Sequence, residues 1–530
     1  MKVLEEAHKL RNKKINKIEK LKQTQKALDF WNDFENICNS GYENLSDVHE
    51  KHLLKCFGIY DKGSKDSFTI RIRIPYGQLT KLQAKKFAKT AFTYGKSCVD
   101  LTTRGQIEFR HLNFHELPIV LKELESVGIT TFQTAGDNFR GVITSQFDGY
   151  SNTSLITCES LVNDIQDVFL KNEEYIGTLP RKFNTGILGD TINDCNIFGQ
   201  DCAFVLASKD NELGFNLYLG GKVGVQARPL NIFIKKEQVK QTFKTIVDLF
   251  KKYGFRDNRN KNRMTYFLDE IGIEVFEKAI IESSSLPLQN AGELLVKDEY
   301  NINNNAVIKL KDGKSAVYFP IPSGIFNSRD LHCVSKLMDE TDSVLRLTHE
   351  QSFFLITNDE HIQEIKDSQI YKKYDSFHNI YFNNQIACAG VNECSFGVIA
   401  NKPDAIQMAV YLNQYVPIQD GKVRMYWSAC PKGCGVHGVA DIGFEGAKAK
   451  DEEGKACDGV KIFVGGKATT SILEARQLSK AIPIPKAQEV VRELLTIYKN
   501  EKLENESFEN FDSRILSLLT TEQIQARIGL

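Results

Sequence analysis

The sequence predicts an α+β protein built from two related halves around a pseudo-two-fold axis. Three observations support this prediction. The chain has 530 residues, which is more than one ordinary hydrophobic core accommodates. Strand-like and helix-like segments are mixed along it, and short motifs recur in the same order at a nearly constant separation. A repeat this long indicates two halves rather than a solenoid.

The repeat begins with a small module. Residues 68–112 indicate a strand, a Pro-Gly turn, an amphipathic helix and a second strand, and residues 317–357 repeat that order. Three pairs of short motifs match between the halves, 247, 246 and 245 residues apart: Ile74-Pro75-Tyr76-Gly77 with Ile321-Pro322-Ser323-Gly324, Leu101-Thr102 with Leu347-Thr348, and "LGGKVG" (219–224) with "VGGKAT" (464–469). Each match is weak alone, but an ordered set at one separation indicates duplication.

The chain divides into five predicted segments. They are a helical arm (1–55), a first small module (56–125), a first larger α+β domain (126–300), a second small module (301–365) and a second larger α+β domain (366–530). Apolar periodicity predicts outer helices over 236–253 and 484–499. A ligand at the junction of the halves could take residues from both, so we expect a cofactor pocket there.

Composition excludes several classes of protein. Lys and Arg number 68, and so do Asp and Glu, which disfavours a dedicated nucleic-acid binder. Hydrophobic content of 42% is typical of a soluble globular protein. The charged N-terminus lacks the apolar core of a secretory signal, and no apolar run approaches the length of a membrane-spanning helix. We therefore expect a cytoplasmic protein without a membrane or nucleic-acid partner.

Four of the 12 cysteines form two spaced pairs in the second half. Cys388 and Cys394 lie in "CAGVNEC", and Cys430 and Cys434 lie in "SACPKGCG". Four thiolates suit either a structural zinc ion or a cubane [4Fe–4S] cluster. The five-residue interval in the first pair is outside the usual zinc-ribbon range, which favours the cluster over zinc, while simple core packing is disfavoured by the Gly and Pro nearby.

These segments resemble the siroheme-dependent assimilatory nitrite and sulfite reductases, and most closely the ferredoxin–nitrite reductases. The similarity covers "FTIRIRIPYGQLT", "VDLTTRGQIEFR", "AGDNFRGV", "TLPRKFN", "VLRLTHEQ", "ACAGVNECSFG" and "MYWSACPKGCGVHGVADIGFEG", in family order across residues 68–467. The resemblance implies ferredoxin-like half-modules and two larger α+β domains around a siroheme and a [4Fe–4S] cluster.

The resemblance also implies roles for individual residues. The metal ligands would be Cys388, Cys394, Cys430 and Cys434, and Cys434 would bridge the cluster to the siroheme iron. Arg71, Arg140 and Lys182 would hold the substrate anion and supply protons, in agreement with the fixed positive charge that a small oxyanion requires. The siroheme carboxylates would be bound by Arg104, Arg110 and Arg181.

Asn184 bears on the choice between nitrite and sulfite. Family members that act on sulfite tend to carry a second lysine there, and one cation fewer suits singly charged nitrite better than sulfite.

Two departures from the family pattern affect the cofactor surroundings: Gly105-Gln106 follows "TTR", and "CPKGCG" replaces "CPNSCG". The prediction is six-electron reduction of nitrite to ammonia, with reduction of sulfite to sulfide as the alternative.

The electron donor is predicted to be a separate protein. No G-x-G-x-x-G motif opens a βαβ unit, so flavin and nicotinamide domains are not indicated, and the resemblance implies ferredoxin or a similar small carrier. Its docking candidates are "RDNRNKNR" (256–263) and the face of Lys81, Lys85, Lys86 and Lys89, although ordinary solvated surface is the favoured interpretation of each. We also expect the protein to be a monomer.

The alternative to an enzyme is a non-catalytic iron–sulfur or zinc protein that uses the same cysteines.

Overall fold

A computed structural model describes residues 1–298 and 306–530. The predicted boundary between the first α+β domain and the second small module, at residues 300 and 301, lies outside the described residues. The fold mixes antiparallel sheets with helices and is duplicated, which confirms the predicted fold class.

Two five-stranded antiparallel sheets have the same strand order and exchange one strand each. The first contains, in order, Ile59–Tyr60, Phe68–Ile72, Ile107–Leu112, Cys98–Leu101 and, from the second half, Ile325–Asn327. The second contains Val307–Lys309, Lys314–Phe319, Phe353–Asn358, Val344–Leu347 and, from the first half, Gln78–Leu79. Each half therefore completes the sheet of the other.

The turn that precedes each exchanged strand has the same backbone conformation in both halves. Tyr76 and Ser323 have positive φ angles of 43° and 49°, and the glycines that follow them have φ angles of 69° and 71°. Glycine is suited to this left-handed region because it has no Cβ. The repeated Ile-Pro-x-Gly motif is thus a repeated turn that directs a strand into the opposite half.

Two further sheets, of five and six strands, form the body of the protein. The first contains Thr185–Leu188, Cys202–Lys209, Glu212–Leu219, Arg228–Ile234 and Glu293–Leu294. The second contains Gln385–Ala387, Met425–Ser428, Ile442–Lys450, Ala456–Val464, Arg476–Gln477 and Ile482–Pro483. A two-stranded ribbon pairs Lys467–Ala468 with Ile472–Leu473. Several of these strands are buried along most of their length, and one hydrophobic core lies on each sheet.

Helices cover the sheets and join the modules. Those of the first half are Lys2–Arg11, Lys17–Leu21, Ala27–Asn32, Phe34–Ser40, Leu54–Cys56, Lys81–Tyr94, Leu117–Glu125, Glu159–Phe169, Val239–Tyr253, Met264–Ile271 and Ile273–Ser283. Those of the second half are Ser328–Glu340, Ile362–Asp367, Gln369–Asp375, Ile380–Asn383, Lys402–Tyr415, Ile484–Glu501, Phe508–Arg514 and Thr521–Ile528. The helices predicted over 236–253 and 484–499 are confirmed as Val239–Tyr253 and Ile484–Glu501.

Candidate active site

A cavity of about 530 Å³ lies between the two halves and takes its lining from both. Eight basic side chains line it against four acidic ones. The basic residues are Arg71, Arg104, Arg140, Lys182, Lys222, Arg263, Arg424 and Lys432, and the acidic residues are Asp194, Glu350, Glu445 and Glu474. A cavity with this excess of positive charge suits anionic ligands.

Arg71 projects from the strand Phe68–Ile72 and is held on several sides. Its Nε and Nη2 atoms donate to Glu108 Oε1 at 2.8 and 2.7 Å, and Nη1 donates to the Thr134 carbonyl at 3.4 Å. The guanidinium also lies over the Tyr60 ring, 5.2 Å from its centroid. Burial works to lower the pKa of Arg71, but Tyr60 and Glu108 outweigh it and raise the pKa, so this side chain is a permanent cation.

Arg104 and Arg140 carry donors without protein partners. Arg104 donates to the Gly141 carbonyl and to Gln200 Oε1, both at 2.8 Å, while Arg140 donates to the Gly136 carbonyl at 3.1 Å. The buried Arg104 Nε and Arg140 Nη1 atoms have no hydrogen-bond partner. Burial lowers the pKa of Arg104 to about 9 and that of Arg140 to about 10. Buried donors left unsatisfied in a polar cavity indicate a ligand that accepts hydrogen bonds.

Lys182 and Asn184 face the same cavity from the segment before strand Thr185–Leu188. Burial lowers the pKa of Lys182 to about 7, and the charges of Arg263 and Arg140 add to this effect. The Asn184 backbone N–H donates to Asp201 Oδ2 at 2.9 Å, whereas its buried side-chain oxygen has no partner. Lys182 can therefore exchange a proton near neutral pH, and Asn184 adds polarity without charge.

The sheet topology brings the two cysteine pairs together. Strands Gln385–Ala387 and Met425–Ser428 are parallel neighbours, and Cys388 and Cys430 follow their ends. The pKa of Cys388 is raised to about 11, mainly by burial and with contributions from the Cys434 and Cys430 thiols. Burial also raises the pKa of Cys430, with further contributions from Cys434 and Cys394. Cys388, Cys430 and Cys434 thus interact electrostatically with one another, and Cys394 interacts with Cys430.

The surroundings of the thiols fit an iron–sulfur cluster. Cys388 Sγ accepts a hydrogen bond from the Ala429 N–H at 3.1 Å and from Asn401 Nδ2 at 3.4 Å. Such N–H donors are typical of cluster sulfurs. Within residues 1–298 and 306–530, no three His, Cys, Asp or Glu side chains are close enough to hold a single metal ion.

Cys434 belongs both to the basic cavity and to the cysteine quartet, which consists of Cys388, Cys394, Cys430 and Cys434. It is exposed and lines the cavity, whereas the other three cysteines of the quartet are partly buried and do not line it. It also interacts electrostatically with Arg71 and Lys182. The turn that carries it is fixed by Gly435, whose N–H donates to Ser428 Oγ at 3.0 Å. The quartet and the basic cavity therefore meet at this thiol.

Two predicted siroheme contacts do not line the cavity. Arg110 is buried, forms ion pairs with Asp100 and Glu108, and lies on a strand beside the cavity. Arg181 donates to the Arg259 carbonyl at 3.2 Å and lies 3.7 Å from Asp137. Both arginines are already paired with protein groups. Their position in a motif does not show this, because it does not reveal which carboxylates lie near them.

Four further basic residues of the cavity lining were not predicted as site residues from the sequence. They are Lys222, Arg263, Arg424 and Lys432, of which Arg263 belongs to the "RDNRNKNR" run. The arginines of that run point inward: Arg256 pairs with Glu19, Arg259 with Asp137 and Arg263 with Asp201. The three arginines of the run are therefore paired within the molecule, while Lys261 is exposed.

The second docking candidate is partly paired. Lys81 contacts Asp339 at 2.6 Å and Lys86 contacts Glu123 at 2.5 Å, while Lys85 and Lys89 are exposed on the same helix.

Helices long and apolar enough to cross a membrane are absent from the part of the chain that the structure describes.

Comparisons with known proteins agree with this geometry. The family model described as the nitrite and sulphite reductase 4Fe-4S domain matches residues 135–288 and 383–515. The model described as the nitrite/sulfite reductase ferredoxin-like half domain matches residues 60–127. The solved structure of the Mycobacterium tuberculosis NirA protein shares the fold, with a TM-score of 0.88 over 97% of this chain and 98% of that chain at 20% identity.

Curated relatives cover almost the same span. A ferredoxin–nitrite reductase of Leptolyngbya laminosa is 28% identical over 495 residues, which are 91% of this chain and 96% of the relative. One from Synechococcus elongatus is 30% identical with the same coverage. A chloroplastic one from Spinacia oleracea is 30% identical over 83% of this chain and 77% of its own length. The chain is therefore a member of the nitrite and sulphite reductase family of iron–sulfur oxidoreductases.

Proposed function

We propose that this protein reduces nitrite to ammonium with the help of siroheme and a [4Fe–4S] cluster, and that Cys434 would serve both groups. The reaction takes up six electrons and eight protons and releases two waters. The observation that carries the proposal is the meeting of the cysteine quartet and the anion-suited cavity at Cys434. Membership of an iron–sulfur family whose curated relatives are named ferredoxin–nitrite reductases supports it.

The cofactors would be held by distinct groups of residues. Cys388, Cys394, Cys430 and Cys434 would bind the cluster, and the unpartnered Arg104 Nε would donate to a siroheme carboxylate. When bound, siroheme and cluster supply an iron site for the substrate and a store of single electrons. Since Arg110 and Arg181 are paired within the protein, we propose that they support the neighbouring strands and loops without touching siroheme.

Three cations would act on the substrate. Arg71 and Arg140 would hold the anion by charge and hydrogen bonds, with Arg140 Nη1 as an available buried donor. Lys182 would hold the anion as an ammonium and release a proton as oxygen leaves as water, since its lowered pKa of about 7 allows both states near neutrality. Removing one such donor from an active site costs about 10²-fold or more in turnover.

Asn184 would set the preference for nitrite. Its side-chain oxygen lines the cavity with no protein partner, so a lysine there would add a cation among existing ones. An added charge favours sulfite, which can be doubly charged, more than singly charged nitrite. The electron donor would be a ferredoxin-type carrier, in line with the names of the curated relatives.

The experiment that tests the proposal compares nitrite and sulfite reduction with reduced methyl viologen as donor. Cofactor content is first measured by the visible spectrum and by iron and acid-labile sulfide analysis. We expect a nitrite preference in the wild type and a shift of about tenfold towards sulfite in kcat/KM for Asn184→Lys. Asn36→Lys, which places the same charge on the exposed arm, is the matched control. A sulfite preference in the wild type, or a chain that binds no siroheme, would contradict the proposal.

A further inference from the structure

Glu108 is a buried carboxylate that the proposed reaction does not use directly. It lies on strand Ile107–Leu112, directly opposite Arg71 in the register of the neighbouring strand, and is 6% exposed. It does not line the cavity. One of its oxygens, Oε1, accepts from both Nε and Nη2 of Arg71, at 2.8 and 2.7 Å. Cross-strand pairing therefore places against the guanidinium a carboxylate that does not itself line the cavity.

Glu108 is itself held within a row of alternating charges, here called the charge ladder, which consists of Arg71, Glu108, Arg110, Asp100 and Lys402. Its second oxygen, Oε2, accepts from Arg110 Nη2 at 2.7 Å, and Arg110 Nε donates to Asp100. Asp100 is the cross-strand partner of Glu108 on the next strand. Lys402 Nζ, from the second half, donates to Asp100 Oδ1 at 2.9 Å. A carboxylate held by two cations cannot swing away, so Glu108 is a rigid support.

The charge ladder also leaves Arg71 with usable positive charge. The charge of Glu108 is shared between Arg71 and Arg110, so it does not fully neutralise the cavity arginine. Burial works to raise the pKa of Glu108, but Arg71 and Arg110 outweigh it and lower the pKa to about 2. The support is thus ionised throughout the assay range. Arg104 and Arg140, by contrast, are held by neutral oxygens.

We propose that Glu108 is the positioning residue of the anion site: it holds the Arg71 guanidinium in the orientation that binds the substrate and does not contact the substrate itself. The inference rests on the proposed function, in which Arg71 holds the anion. A free arginine samples many rotamers, and fixing it beforehand removes an entropic cost from substrate binding. Loss of Glu108 should therefore weaken anion binding more than it slows the reduction.

The test is steady-state nitrite reduction by the cofactor-loaded full chain with reduced methyl viologen as donor. For Glu108→Gln, which keeps the size but removes the charge, we expect KM for nitrite to rise about tenfold while kcat changes less than about threefold. Glu123→Gln, at a carboxylate paired with Lys86 away from the cavity, is the matched control and should keep wild-type constants.

A double-mutant cycle shows whether Glu108 acts through Arg71. Arg71→Lys alone should raise KM, and adding Glu108→Gln to it should raise KM no further, because the guanidinium that Glu108 orients is gone. Additive effects, or an unchanged KM in Glu108→Gln at full cofactor content, would overturn the inference. An unchanged KM in Arg71→Lys would instead contradict the proposed role of Arg71, on which the inference depends.

A second variant guards against misfolding of Glu108→Gln. Glu108→Asp keeps the charge and shortens the side chain by one methylene, so the charge ladder retains its neutralising carboxylate. We expect cofactor content equal to the wild type and a KM raised about threefold, since the contact with Arg71 lengthens. Wild-type KM in Glu108→Asp, with siroheme and cluster fully bound, would show that the position has no part in anion binding.

Discussion

At the scale of single residues, the site combines cations that differ in how firmly they keep their charge. Arg71 is stabilised as a cation by Glu108 and Tyr60, whereas burial lowers the pKa of Lys182 to about 7. A permanent charge suits holding an anion, and a group that titrates near neutrality suits moving protons. The same cavity thus offers both functions on different side chains.

The pH dependence of nitrite reduction tests the assignment of Lys182. Its lowered pKa means that the ammonium is lost as pH rises through about 7, so kcat/KM should fall about tenfold per pH unit above that value. In Lys182→Arg the cation persists, and this limb should disappear. Turnover should also fall about 10²-fold, because arginine does not release a proton.

Lys86→Arg, at a lysine paired with Glu123, is the control and should retain the wild-type pH profile. The measurement is kcat/KM for nitrite between pH 5.5 and 9 with reduced viologen. If Lys182→Arg kept the same alkaline limb, the titrating group would be a different residue.

The sequence motifs predict candidate site residues, but they do not show which of those residues are paired within the protein or which carboxylate supports them. Arg71, Arg140, Lys182 and Asn184 do share one cavity. Arg110 does not line it, and Glu108 carries no spacing signal at all. Which carboxylate meets which arginine is decided by strand register and burial, and neither can be obtained from the order of residues along the chain.

At the scale of elements, the turn after strand Met425–Ser428 must place Cys430 and Cys434 with little freedom. A Cβ on Gly435 would overlap the Trp427 carbonyl, whereas a Cβ on Gly433 would meet only Val223 and His437, at 3.8 and 3.9 Å. Gly433 instead has a φ angle of +67°, which an L-residue adopts at a cost of about 1–2 kcal/mol. The two glycines are therefore required for different reasons.

This contrast predicts different outcomes for two alanine variants in the same turn. Gly435→Ala forces the backbone apart beside Cys434, so we expect loss of most of the iron and acid-labile sulfide. Gly433→Ala has room for its methyl group and should retain the cluster with a stability loss of about 1–2 kcal/mol. Cluster content per chain and thermal unfolding measure the two effects. Equal cluster content in both variants would show that the close approach of Gly435 to Trp427 is not needed.

At the scale of the whole molecule, the halves are joined by reciprocal strand exchange. Leu79 pairs with Leu345, and Phe326 pairs with Val99, so each half lends one strand to the other. The sequence predicted the duplicated modules because strand and helix periodicities are local. It did not predict the exchange, because strands of two and three residues carry too little pattern to identify and their partners lie far along the chain.

The exchange predicts that neither half folds by itself. One hydrophobic core contains Phe68 and Phe109 together with Phe319 and Phe353, so a separated half would expose apolar surface as well as an unpaired strand edge. We expect residues 1–298 and 306–530, expressed separately, to aggregate. Expressed together with a tag on one piece, they should copurify in equal amounts, since every described contact between the halves is retained.

The measurement is tag purification followed by size-exclusion chromatography, with the intact chain as the reference. A destabilising control is Phe353→Ala in the second piece, which removes a fully buried ring from the shared core and costs about 3–5 kcal/mol. It should reduce the recovered complex far more than Leu518→Ala, at an exposed position of the same piece. A monomeric piece that unfolds cooperatively alone would show that the halves are independent domains, and the shared core would then be an interface formed after each had folded.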